Sequence, residues 1–287
     1  MAGERALSGV PAVVLAAPGT NRDADVASAL AVVGARPRIV PLAEVAGGDV
    51  LAGARIVVVA GGFSFADALG SGRLFALELH ARLGDQLASF VAAGRPVLGI
   101  CNGFQTLVRA GLLPGAGSPP TASSSAASSA AAGESATGQS AGVGPVALGH
   151  NANGRFVCRW VTLVAPPSRS IWTVGMSDPI SCPVAHGEGR FTADPVTLDA
   201  LAARGQIALT YANEDGSPAG GRAPSNPNGS AADVAGICDP SGVVLGLMPH
   251  PENHIHPHQH PRWVRGGQTG LALGLFAAGV RHAKELP

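Results

Sequence analysis

The chain has 287 residues, 46% of them apolar and 13% charged, which suits a large buried core and excludes a charge-driven binder. Lys and Arg (19) balance Asp and Glu (19), so the basic excess that phosphate backbones attract is missing and nucleic acid is not an expected partner. No apolar run approaches the ~20 residues of a membrane span, the N-terminal segment lacks a long apolar signal region, and four cysteines without a C-x-x-C pair point to a reducing, cytoplasmic setting.

Up to Gly111 short runs rich in Val and Ile alternate with helix-like segments. Strands are predicted at 12–15, 38–40, 56–60 and 97–100, each nearly continuous in apolar character and so expected to be buried on both faces. Helices are predicted at 24–33 and 74–93, closed by Gly34 and Gly94 in the left-handed conformation. This order implies a parallel sheet with crossover helices. Residues 115–144 change to Ser, Ala and Gly and offer too little large apolar surface to offset the entropy of ordering, so they read as a flexible insert. Beyond it FVCRWVTLV, SIWTVGM, IALTYAN and VAGICDPSGVVLGLM read as strands, the last a hairpin turning at DPSG, and 271–286 reads as a helix.

Three motifs carry chemistry. In VLGICNGFQ, Cys101 lies at the centre of a G-x-nucleophile-x-G turn between strand and helix, which projects the sulfur from the sheet edge and aims the positive end of the next helix at it. The same residues also suit a cysteine that merely ends a core strand. In MPHPE, His250 follows an apolar strand and Glu252 comes two residues later, so His250 can exchange the thiol proton while Glu252 fixes its tautomer. A rigid proline loop fits that segment equally. In AGGFSFAD, Gly61 and Gly62 can turn backbone N–H groups toward a developing oxyanion, or form an ordinary turn.

Taken in order, GGFS, GICNGFQ and PHPE resemble the class I glutamine amidotransferases. GGFSFAD, LGICNGFQTL, LLPG, PVAHGEGRF, NPNGS and VLGLMPHPE resemble, within that class, the glutaminase subunits of phosphoribosylformylglycinamidine synthase, over 13–252. The resemblance implies one α/β domain across 1–287, with a flavodoxin-like, mostly parallel sheet flanked by helices and added strands in the C-terminal half. It implies a triad of Cys101, His250 and Glu252, and an oxyanion hole from the backbone N–H of Asn102 and of Gly62 or Phe63. It implies glutamine contacts from Gln105 and from His186, Gly187 and Glu188. Glutamine would yield glutamate and ammonia through a thioester. The ammonia would pass to a separate synthetase subunit carrying ATP and magnesium, with a small accessory subunit in the assembly. No cofactor is expected in this chain, which has no G-x-x-x-x-G-K-[ST] loop.

The sequence departs from that pattern in three places. GGFSYGD reads GGFSFAD, with Phe65 and Ala66. The insert is atypically long and is expected to loop away from catalysis. The arginine that usually follows PHPE is Asn253, and His254, His256, His258 and His260 come after it. These imidazoles could serve zinc, but no cysteine or carboxylate has matching spacing, so a solvated loop and no metal are expected. Cys158, Cys182 and Cys238 lack an elbow and are expected to pack in the core. Another triad cysteine hydrolase or amidotransferase on this fold, or a non-catalytic regulatory subunit, also fits the residues.

Overall fold

The computed structural model describes residues 9–45, 50–115, 146–266 and 270–287. All of the Ser/Ala/Gly insert except Gly115 lies outside the described residues.

The first half follows the periodicity closely. It runs β1 (Val10–Ala16), α1 (Asp23–Val32), β2 (Ala35–Pro41), β3 (Ile56–Val59), α2 (Arg73–Ala92), β4 (Val97–Ile100) and α3 (Asn102–Arg109). Every residue of β3 and β4 is buried, as expected for strands covered on both faces. Helix α2 buries Phe75, Leu79, Leu83 and Leu87, a stripe at four-residue spacing that faces the core. Gly34 and Gly94 close α1 and α2 at φ +86° and +71°, a conformation that costs a residue with a Cβ.

The second half contributes β5 (Ala147–His150), β6 (Val157–Val164), β7 (Ile180–His186), β8 (Glu188–Thr192), α4 (Pro195–Ala203), β9 (Ile207–Ala212), β10 (Val234–Cys238), β11 (Val244–Leu247) and α5 (Leu273–Glu285). One nine-stranded sheet has the order β2-β1-β3-β4-β11-β10-β9-β6-β7, and β5 pairs with β8 in a separate ribbon. The pairings from β2 to β11 are parallel and those from β11 to β7 are antiparallel. The parallel half thus has the flavodoxin-like order, in which ligands bind beyond the carboxyl ends of the strands. Strands β10 and β11 form the expected hairpin, and Asp239 organises its turn by accepting from the N–H of Val244 at 2.9 Å.

Three expectations are corrected. Of 38–40 only Val40 is buried, because β2 lies at the edge of the sheet. SIWTVGM is not a strand. Ser170 caps a short helical turn at Ile171–Thr173 by accepting from the Trp172 N–H. The Trp172 indole is buried, donates to the carbonyl of Val243 at 2.9 Å and fills the space left by Gly279, where a Cβ would lie 2.2 Å from its ring. Burial of the indole with its N–H satisfied outweighs the β propensity of the segment. Cys158 is not in the core. The first half of β6 is largely exposed and Cys158 with it, whereas Cys182 and Cys238 are buried.

Candidate active site

Cys101, Gly61 and His250 come from the carboxyl ends of β4, β3 and β11, which are neighbours in the sheet. The elbow is sharp, with Cys101 at φ +53° and ψ −109°, and its N–H is tied to the carbonyl of Leu247 at 2.8 Å. Its glycines are there for close approach. A Cβ on Gly103 would lie 1.9 Å from the carbonyl oxygen of Val59, and one on Gly99 would lie 2.6 Å from Cδ1 of Leu107. Helix α3 therefore seats directly on β3 and β4, and its first turn, whose N–H groups have no partner within the helix, begins immediately after Cys101.

His250 shares a cavity lining with Cys101 on one side and on the other is hydrogen-bonded, through Nδ1, to Oε1 of Glu252 at 2.7 Å. Both His250 and Glu252 are buried. Burial disfavours the imidazolium, but the Glu252 carboxylate and a Cys101 thiolate outweigh it and raise the His250 pKa from 6.5 to about 10. The arrangement has the residue types and order that a nucleophile, an acid–base group and an orienting carboxylate require. A cavity of about 30 Å³, room for a water-sized group, opens over it between Asn21, Arg22, Gly62, Phe63, Ala185 and the catalytic pair.

The glycine loop reaches the nucleophile from the β3 side. A Cβ on Gly61 would lie 3.0 Å from Cε1 of His250 and 3.3 Å from the Cys101 Cβ, so a side chain here would press on both residues. The N–H of Phe63 donates to the carbonyl of Gly19 at 3.1 Å. Phe63 is thereby committed elsewhere, whereas the N–H groups of Gly62 and Asn102 have no acceptor among the described residues. The loop continues through a left-handed turn at Phe65, Ala66 and Asp67, with φ of 52°, 55° and 52°. Ser64 Oγ donates to Oδ1 of Asn102, and Nδ2 of Asn102 donates to Oδ1 of Asp67 at 2.8 Å. Burial pushes the Asp67 carboxyl up, a hydrogen bond from Ser71 pulls it back, and the charge of Glu188 adds to the rise.

Ala66 keeps this turn at a steric cost that glycine lacks. Ala66→Gly is expected to leave the fold intact and to change stability by no more than about 1 kcal/mol, in the stabilising direction, because relief of the left-handed Cβ slightly exceeds the extra unfolded-state entropy. Chemical denaturation of the two proteins measures it.

The remaining predicted contacts lie behind the cavity lining. Gln105 is buried and donates through Nε2 to the carbonyl of Glu188 at 3.0 Å, and the Glu188 carboxylate accepts from the N–H of Ser71 at 3.4 Å. His186 is buried with Nδ1 3.0 Å from Oδ1 of Asn151, and burial with the nearby charge of His250 lowers its pKa to about 4. The Gly187 carbonyl accepts from the N–H of Asn151 at 2.9 Å, and a Cβ on Gly187 would lie 3.8 Å from the ring of Phe156, which stacks at 6.3 Å on the exposed Phe63. Sequence reasoning missed Asn21 and Arg22, which follow β1 and reach the cavity through an antiparallel bridge between Thr20 and Gly62. No local pattern announces a contact between loops so far apart in the chain. The histidine run is not uniformly solvated: His254 and His260 are buried against Trp160, whereas His258 is exposed. Among the described residues no group of three or more His, Cys, Asp or Glu is placed to hold a metal ion.

Comparison with known proteins agrees with this geometry. Residues 10–283 match the CobB/CobQ-like glutamine amidotransferase domain. The chain is 45% identical to the phosphoribosylformylglycinamidine synthase subunit PurQ of Treponema denticola, over 94% of this chain and 98% of the relative. It is 35% identical to the subunit of the same name from Dehalococcoides mccartyi, over 98% of this chain and all of the relative. Among solved structures, PurLQS from Thermotoga maritima superposes with a TM-score of 0.67 at 27% identity, covering 95% of this chain and 98% of the other. With the cysteine elbow, the His250–Glu252 pair and the parallel sheet order in place, the chain belongs to the class I glutamine amidotransferase family that contains the PurQ subunits of phosphoribosylformylglycinamidine synthase.

Proposed function

We propose that this chain is the glutaminase subunit of phosphoribosylformylglycinamidine synthase in purine biosynthesis. The observation that carries the reading is the Cys101–His250–Glu252 set at adjacent strand ends, in a chain similar over nearly its whole length to proteins of that name. Cys101 attacks the side-chain carbonyl carbon of glutamine, and the N–H groups of Gly62 and Asn102 receive the negative oxygen. His250 gives its proton to the departing nitrogen, ammonia leaves and a glutamyl thioester remains. Water, losing a proton to His250, then attacks the thioester, and glutamate and the thiolate are released. Ammonia passes to a synthetase subunit, which uses ATP and magnesium to convert formylglycinamide ribonucleotide to formylglycinamidine ribonucleotide, with a small accessory subunit in the assembly. This chain works in the cytoplasm and supplies no cofactor of its own. No helix among the described residues is long and apolar enough to cross a membrane.

A substrate panel separates this reading from other cysteine hydrolases. In the reconstituted synthase, kcat/KM for glutamine is expected to exceed that for asparagine and for glutaminyl peptides by ~10²-fold or more. Comparable turnover of the peptides would assign the triad to a different hydrolase, and no turnover of any amide would make the chain a non-catalytic subunit.

A further inference from the structure

The two free oxyanion donors sit on separate segments. Gly62 is on the loop after β3, and Asn102 opens α3 after β4. The loop itself hangs on the chain that follows β1: the N–H of Phe63 bonds to the carbonyl of Gly19 at 3.1 Å and that of Phe65 to the carbonyl of Pro18 at 2.6 Å. Those bonds do not reach α3. Among the described residues, the only side-chain hydrogen bonds joining 61–67 to α3 are the two made by Asn102, to Ser64 and to Asp67. Both ends of the amide are used with consistent polarity: its oxygen receives the Ser64 hydroxyl proton and its NH₂ group donates to the Asp67 carboxylate. Ser64 is 3% and Asn102 1% exposed, so water has little access to the bond between them, while the bond to Asp67 is partly buried.

The loop needs such a tie. Phe65, Ala66 and Asp67 hold left-handed backbone in succession, a conformation disfavoured for each of them, so the turn relaxes unless its surroundings over-determine it. Asp67, the last of the three, is one of the two residues that Asn102 grips.

We propose that the Ser64–Asn102–Asp67 side-chain clamp is a positioning device that fixes the distance between the Gly62 and Asn102 N–H groups, and so sets the oxyanion hole without touching the substrate. This rests on the glutaminase reading above. Asn102 then has two separable roles, a backbone donor to the oxyanion and a side chain that aligns the opposite donor. Gly72 strengthens the same joint, since a Cβ there would lie 2.9 Å from the backbone nitrogen of Thr106 and 3.1 Å from the carbonyl of Asn102.

The test compares Asp67→Ala, Asp67→Asn and Ser64→Ala with wild type in the reconstituted synthase. Glutamate release gives kcat and KM, and alkylation of Cys101 by iodoacetamide, which forms no oxyanion, reports on the nucleophile. Asp67→Ala is expected to lower kcat roughly ten- to a hundredfold, the usual effect of an ångström-scale misplacement, with KM and the alkylation rate changed by less than about threefold. Asp67→Asn still presents an oxygen to Nδ2 of Asn102 and is expected to restore most of the lost kcat. Ser64→Ala is expected to fall between them. The proposal is overturned if Asp67→Ala turns over like wild type, if alkylation slows as much as turnover does, or if Asp67→Asn is as impaired as Asp67→Ala. Wild-type protein that releases no glutamate would instead remove the glutaminase reading, and the clamp with it.

Discussion

Cys101→Ala is expected to lower glutamate release by about 10⁴-fold or more, the loss typical of removing the nucleophile from a triad that works as a unit. At 1.36 kcal/mol per decade that is at least ~5.5 kcal/mol of transition-state stabilisation. The fold should survive. Cys101 is buried at the end of a strand, its N–H bond to Leu247 is made by backbone, and the unusual φ and ψ of the elbow burden alanine as they burden cysteine. The flanking glycines that let α3 lie against β3 are untouched. Activity and melting temperature, measured on one preparation, should therefore separate, with release lost and the unfolding transition within a few degrees of wild type. Comparable loss of both would mean that Cys101 serves packing.

Glu252→Gln is expected to have the next largest effect, a fall in kcat of roughly 10²–10⁴-fold, because an amide no longer fixes the imidazole tautomer or stabilises its cation. Its pH signature is more informative than its size. In the folded protein the His250 pKa is raised from 6.5 to about 10, so the charged imidazole contributes stability that is full below about pH 6.5 and is lost as pH rises through about 10. Wild-type stability should decline across that window, and the decline should be shallower in Glu252→Gln, where the carboxylate that holds the proton is gone. The alkaline limb of kcat/KM should likewise move toward neutral pH in the variant. Parallel stability–pH curves for the two proteins would show that Glu252 does not set the charge of His250.

Much of the site was legible because its constraints are local. The G-x-C-x-G run encodes a close backbone approach, since a Cβ on Gly103 would lie 1.9 Å from the carbonyl oxygen of Val59, and the two-residue spacing of His250 and Glu252 is enough to form their bond after β11. The parallel half of the sheet was equally readable, since strands covered on both faces are apolar without alternation. What escaped depends on long-range neighbours. Phe63 was an equal candidate for the oxyanion hole until the loop after β1 took its N–H, and Asn21 and Arg22 reach the cavity through the same bridge. SIWTVGM has strand composition, but Trp172 finds its place against Gly279, more than a hundred residues away. Helix α4 is a different case: Asp194 followed by Pro195 is a local N-terminal signal, and the Asp194 side chain does accept from the Thr197 N–H at 2.9 Å.

The most direct measurement of the account follows nitrogen. Glutamine labelled with ¹⁵N in its side-chain amide would be given to the reconstituted synthase with ATP, magnesium and formylglycinamide ribonucleotide, using wild-type chain or Cys101→Ala. Label is expected in the formylglycinamidine ribonucleotide product with wild type and none with Cys101→Ala, while added ammonium restores product formation by the variant assembly. Labelled product made at the wild-type rate by Cys101→Ala, or no product from glutamine with the wild-type chain where ammonium supports it, would contradict the assignment.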